Sequence, residues 1–309
     1  MAKNNDSLRR NALHFDLERA MRYDAYAQIF AIWARPLGER GISLINLDGL
    51  DSPPDVLYNF YFDLLSRLRS EFAACGDILR FCLSAADIEL AKEEKKVAAL
   101  ISVEGAELLR CSICDLREAY SFGVRLVNLC WNFDNILAGS AMGATRGGLT
   151  EEGAVFVREA QRLGVVIDMS HSSEAAFWDT IEIAVSPVIA SHSNSWSIHH
   201  HPRNLRDRQF KALSDLGGVA GINFYPPFLG LGEDIDAIIA HMEHFLALGG
   251  EKSLALGSDF DGVDSLPRDL RGVQHMDALY NAMLKRNFSE ALVQDIFYNN
   301  LLEALGRIL

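Results

Sequence analysis

Four residues stand where a chain could assemble a cation-dependent hydrolytic site: Glu104, His171, His192 and Asp259. Each follows an apolar, strand-like run, and each opens or sits within a short polar cluster: Glu104-Gly-Ala-Glu, Ser170-His-Ser-Ser, Ser191-His-Ser-Asn and Asp259-Phe-Asp-Gly. Neutral imidazoles and carboxylates are good ligands for zinc-like divalent ions. A further carboxylate can carry a proton beside an activated water. Any one of these residues alone reads as a hydrogen-bonded polar cap on a strand. Two histidines and two acids at equivalent tips read as metal-assisted hydrolysis.

Such tips need a scaffold. Strand-like runs recur at Tyr26–Ala34, Val97–Glu104, Val124–Trp131, Val165–His171, Val188–His192, Val219–Tyr225 and Leu254–Asp259. Amphipathic segments fall between them, among them Asp55–Ala74, Asp87–Lys95 and Thr150–Leu163, the last with Thr150 as its cap. Ser289–Leu305 reads as one long C-terminal helix with Gly306 as its stop. The alternation predicts βαβ units around a parallel sheet, hence an α/β fold of the (β/α)8 TIM-barrel type over residues 1–309 as a single domain. Barrel enzymes place their chemistry at the C-terminal ends of the strands, where the four residues lie. An eighth run, Ile78–Ser84, ends in nothing chemically useful. The barrel is then either complete or one strand short at its N-terminus.

Composition sets the outer bounds. Apolar residues make up 49% of the 309 and charged residues 23%, which supports a sizeable core beneath a solvated surface. The formal net charge of −13 repels phosphate, so neither nucleic acid nor an anionic membrane is an expected partner. Residues 1–6 lack the apolar stretch of a secretory leader, and no apolar run approaches the ~20 residues needed to span a bilayer. Five cysteines, an odd number, point to a reducing, cytoplasmic setting. Cys111 and Cys114 form a lone CxxC, too little for a zinc or redox site.

Five motifs then occur in order: Ser102-Val-Glu-Gly-Ala-Glu107, Asp168-Met-Ser-His-Ser172, Ala190-Ser-His-Ser-Asn194, His201-Pro-Arg-Asn-Leu205 and Gly257-Ser-Asp-Phe-Asp-Gly262. Together they resemble the membrane dipeptidase (renal dipeptidase) family of zinc metallopeptidases, from about Asn11 to the C-terminus. The resemblance implies an amidohydrolase-like barrel, a homodimer, and hydrolysis of dipeptides by a hydroxide that zinc activates. It assigns Glu104 as a catalytic carboxylate bridging two zinc ions, and His171 and His192 as ligands of the second ion. Arg203 would receive the substrate's terminal carboxylate, Asp259 would shuttle the proton, and Tyr225 would line the pocket. Trp131 stands where the mammalian enzymes carry a substrate-binding histidine, as in the bacterial branch.

Two decoys accompany these residues. His199-His200-His201 reads as the loop that carries Arg203. His14-Phe15-Asp16 is similar to a family segment that follows the first strand, rather than to the His-x-Asp that ends it. The first strand and its two ligands would then be absent from this sequence, leaving Glu104, His171 and His192 to hold one ion. An amidohydrolase acting on another small amide, or a catalytically impaired binding homologue, are the two other readings.

Overall fold

Strands form where apolar and β-branched residues run without interruption, because such runs are covered on both faces. A computed structural model describes residues 7–34, 54–230 and 232–309; residues 1–6, on which the leader expectation rests, lie outside them. The strands are β1 (Ala27–Ile32), β2 (Leu79–Phe81), β3 (Val97–Val103), β4 (Val124–Asn128), β5 (Val166–Asp168), β6 (Ala220–Ile222) and β7 (Leu254–Leu256). Every residue of β3, β4, β5 and β6 is buried.

The described chain divides into two compact units. One comprises Ile29–Ala73, Leu100–Ser186 and Ile308–Leu309. Its strands follow the order β1-β3-β4-β5, with parallel registers such as Val103↔Val127 and Val127↔Ile167. Parallel neighbours end at the same side, so the residues after β3, β4 and β5 share one rim. The helix Pro54–Ala74 buries Leu57, Tyr61, Leu65 and Phe72, a stripe with helical spacing. In the helix Glu151–Leu163, Thr150 caps the start by accepting the Gly153 N–H (3.0 Å), and Gly164 ends it at φ 77°.

The other unit comprises Met1–Gln28, Ala74–Ala99 and Pro187–Arg307. Here β6 and β7 pair in parallel, Ala220↔Leu254 to Ile222↔Leu256, and an isolated bridge joins Ala190 to Ala220. The eighth run of the sequence is a true strand: β2 pairs in parallel with the opening residues of β3, Leu79↔Val97 to Phe81↔Ala99.

Two expectations need correction. Val188–His192 is not a strand along its length, since only Ile189 and Ala190 make isolated bridges and Ser191–His192 already turn. The C-terminal helical stretch is unbroken but not regular. Helix Glu290–Gln294 passes through a wide π turn, Asp295–Asn299, into helix Asn300–Gly306, which includes Gly306 rather than stopping before it. The extra residue of the π turn accompanies an inward Asn300, whose amide donates to the carbonyls of Glu251 and Leu254 (both 2.8 Å).

Candidate active site

Glu104 follows the last residue of β3, and its N–H donates to the Ile32 carbonyl (3.0 Å). His171 lies three residues beyond β5 in the left-handed region, φ 77°. That conformation costs a residue with a β-carbon about 1 kcal/mol or more. Its carbonyl is held by the Ala141 N–H (2.7 Å) and the Ser140 hydroxyl (3.2 Å). In this pose His171 Nε2 lies 2.8 Å from Glu104 Oε1, and Nδ1 lies 2.8 Å from Asn132 Oδ1. With Nδ1–H donated to Asn132, the lone pair of the neutral ring sits on Nε2, facing a carboxylate oxygen. Two acceptors so close repel unless a cation or a proton lies between them. The donor set therefore suits a divalent ion, with Asn132 as the outer partner that orients the imidazole. The Trp131 ring stands 6.2 Å from His171, within an aromatic group that includes Trp33 (5.0 Å) and Phe133 (5.6 Å).

The remaining candidates belong to the other unit. A Cβ at Gly221 or Gly257 would collide with the Ser191 carbonyl, so the backbone closes on the Ser191–His192 turn because both positions are glycine. His192 Nδ1 lies 2.6 Å from Ser191 Oγ. With Nδ1–H donated to that oxygen, Nε2 is the nitrogen that can bind a metal.

Arg203 is 5% exposed, and its guanidinium carbon lies 5.6 Å from the centroid of Phe228. Tyr225 packs edge-on to the same ring (5.0 Å), and His201 tilts against it (4.4 Å). His201 Nδ1 accepts the Arg203 N–H (3.2 Å). Burial, then the charge of Arg203, then His199, pushes His201 down to about 4, so it is neutral near pH 7. Asn204 donates to the carbonyls of His199 (3.0 Å) and Phe228 (2.9 Å), tying the arginine loop to this platform. The Tyr225 hydroxyl is raised first by burial, then by Asp264.

Asp259 and Asp261 both take left-handed conformations, φ 58° and 64°. Asp259 Oδ2 accepts from Asn223 Nδ2 (3.0 Å). His14 clasps the turn from the other side. Its N–H donates to Asp261 Oδ1 (2.6 Å), and its Nδ1 accepts the Asp261 N–H (3.1 Å). Asp16, 1% exposed, caps the helix Leu17–Ala20 and accepts Arg19 Nε (2.8 Å). His14 and Asp16 are thus bonded to the Asp261 turn and to the first helix. Cys111 and Cys114 are both free thiols, with Cys111 pushed up by burial.

Glu107, within the Glu104 motif, is pushed up to about 7. Desolvation is the main cause, opposed by hydrogen bonds from its own N–H, from Asn135 Nδ2 (3.0 Å) and from the Trp131 N–H. An acid raised from 4.5 keeps its proton longer in the folded state. Its stabilising contribution is therefore whole below about 4.5 and declines as pH rises to about 7. Glu107→Gln is expected to flatten the fall of the urea midpoint between pH ~5 and ~7.5 in chelator-treated protein. An unchanged slope would show that Glu107 does not titrate there.

Two residues of this site escaped the sequence reading, Asn132 and Asn223. Asn132 stands one place beyond the run Val124–Trp131, and Asn223 interrupts the run Val219–Tyr225 just after β6; the partners that give them meaning are distant in the chain.

The chain shares 35% identity over 268 residues with a protein encoded in the pqqA 5′ region of Klebsiella pneumoniae, covering 83% of this chain and 97% of that one. It is 32% identical over 212 residues to an uncharacterized dipeptidase of Schizosaccharomyces pombe, covering 67% of this chain and 52%, about half, of the yeast protein. Among solved structures, a Rhodobacter sphaeroides metallopeptidase liganded with a phosphinate mimic of the dipeptide L-Ala-D-Ala superposes with a TM-score of 0.84 at 24% identity, covering 97% of this chain and 92% of that one. The probable dipeptidase PvdM of Pseudomonas aeruginosa gives a TM-score of 0.86 at 18% identity, covering 96% and 89%. At these identities the structural likeness establishes the fold alone, a TIM-barrel-like α/β fold. Family membership rests on sequence: with residues 2–308 matched by the family's own pattern, this chain belongs to the membrane dipeptidase family, peptidase family M19, hydrolases that act on dipeptides.

Proposed function

We propose that this protein hydrolyses dipeptides bearing a free terminal carboxylate, and that Glu104, His171 and His192 hold the divalent ion the reaction needs. The observation that carries the reading is the Glu104–His171 contact. Glu104 Oε1 and His171 Nε2 face each other at 2.8 Å, and with Nδ1–H donated to Asn132 Oδ1, also 2.8 Å away, both facing atoms are acceptors. An ion bound there supplies Lewis acidity toward the peptide carbonyl and makes water a better nucleophile near neutral pH. Arg203 anchors the substrate by its carboxylate, its guanidinium steadied by Phe228. A neutral His201 beside it adds no competing positive charge. Asp259 moves the proton from the attacking water to the leaving amine. Tyr225 and Trp131 line the pocket.

The proposal extends to zinc as the ion, one per chain, and to a cytoplasmic homodimer. Five free cysteines suit a reducing compartment. No helix among the described residues is long and apolar enough to cross a membrane.

The direct experiment is to load the purified protein with zinc and assay a dipeptide panel against matched amides whose terminal carboxylate is removed. Arg203→Ala is expected to raise KM for dipeptides about 10- to 100-fold, the loss of a charge-assisted hydrogen-bonded pair worth ~1.5–3 kcal/mol. The carboxylate-free amides should change by less than about threefold. Equal losses on both sets would remove the assigned role, and no hydrolysis of any dipeptide by the metal-loaded wild type would remove the function.

A further inference from the structure

Asn223 is completely buried, and each of its polar atoms has a partner. Its backbone N–H donates to Asn194 Oδ1 (2.8 Å), and its carbonyl accepts from Asn194 Nδ2 (3.0 Å). Its side-chain Oδ1 accepts the Tyr225 N–H (2.7 Å), and its Nδ2 donates to Asp259 Oδ2 (3.0 Å). A backbone N–H can only donate, so Tyr225 decides which end of the Asn223 amide is oxygen. The end facing Asp259 is the NH2 group. The reciprocal pair with Asn194, two residues past His192, fixes the Asn223 backbone in turn. The other oxygen of the acid, Asp259 Oδ1, packs over Gly262, where a Cβ would collide with it.

This arrangement makes the two oxygens of Asp259 unequal. A proton on Oδ2 would compete with the Asn223 N–H for the lone pairs of that oxygen and leave it a poorer acceptor, in a part-buried position. A proton on Oδ1 meets no such conflict. Resting on the reading of Asp259 as the proton carrier, we propose that Asn223 is a positioning residue that keeps Asp259 Oδ2 as a permanent acceptor, so that Oδ1 takes and returns the proton. The proton received from the attacking water is the one delivered to the leaving amine, and Asp259 ends each cycle as a carboxylate. With its polar atoms all taken by Asn194, Tyr225 and Asp259, Asn223 acts through Asp259.

The test is a double-mutant cycle in the metal-loaded full chain, read by dipeptide kinetics, metal content and melting temperature. Asn223→Ala is expected to lower kcat about 10- to 100-fold, the scale of a small misplacement of a reacting group. KM should stay within about twofold and metal content should be unchanged. In an Asp259→Asn background the same substitution should alter kcat by less than about twofold, because its route of action is already gone. Asn223→Asp keeps the acceptor for the Tyr225 N–H while replacing the donor with oxygen. It should lose at least as much as Asn223→Ala, and it decides the matter should the alanine variant fail to fold. Asn223 variants within about twofold of wild-type kcat, alongside an inactive Asp259→Asn, overturn the proposal and leave the role of Asp259 intact. Losses that multiply in the double variant also overturn it. Full activity in Asp259→Asn alone sinks the carrier role and this inference with it.

Discussion

Glu104→Gln is expected to lower kcat/KM for dipeptides about 10³-fold or more and to strip the protein of tightly held metal. The physical basis is the loss of one negative charge opposite His171 Nε2, 2.8 Å away. A carboxylate contributes charge to a cation that an amide oxygen cannot match, and the ion's Lewis acidity supplies several kcal/mol of transition-state stabilisation. At ~1.4 kcal/mol per factor of ten, losing it carries the effect into the thousands. His171→Ala should behave alike. Asn132→Ala should be milder, about 10- to 100-fold in metal affinity, since it removes the partner that orients a ligand rather than the ligand. Metal analysis by plasma emission beside the kinetics gives the check. A Glu104→Gln protein that holds its ion and turns over normally would mean that the 2.8 Å contact is only a buried hydrogen bond.

Asp259→Asn should give the second largest effect, a fall of about 10²- to 10⁴-fold in kcat, the usual span for a positioned acid–base group. Asparagine keeps the shape and can hold the left-handed backbone at φ 58°, a conformation that Asn and Asp tolerate better than most residues. Stability should therefore change little. Metal content should also stay at the wild-type level, which separates this variant from Glu104→Gln. A similar loss of metal in both would reassign Asp259 as a ligand instead of a proton carrier.

Much of this is legible in the sequence. The buried strands β3 and β4 announce themselves as unbroken apolar runs, and the polar residue that ends such a run marks its tip. That is why Glu104 and Asp259 stood out from their neighbours alone. Thr150 and Gly164 bracket a helix for equally local reasons, a side-chain acceptor at one end and a left-handed residue at the other. The misreadings were local patterns as well. Val188–His192 has strand composition, yet two glycines elsewhere, Gly221 and Gly257, let other backbones close on Ser191 and turn the chain early. Gly306 looked like a helix stop, but helical hydrogen bonding simply runs through it.

The outer partners lay beyond such reading. Asn132 orients His171 from 39 residues away, and Asn223 meets Asp259 from 36. His14, in a His-x-Asp that invites a metal-ligand reading, is clasped to Asp261 across 247 residues.

Composition and periodicity by themselves determined an α/β fold with polar clusters after its apolar runs, and the five ordered motifs carried the resemblance to the dipeptidase family to which the chain belongs. Those properties follow from burial and from near neighbours, which a linear pattern records. Only the tertiary structure decided which imidazole nitrogen faces the carboxylate, which oxygen of Asp259 is held by a donor, and that His171 and Asp259 accept left-handed backbones. Each of those depends on an angle and a distance of about 3 Å between groups whose meeting is fixed by packing, and no spacing along the chain encodes that.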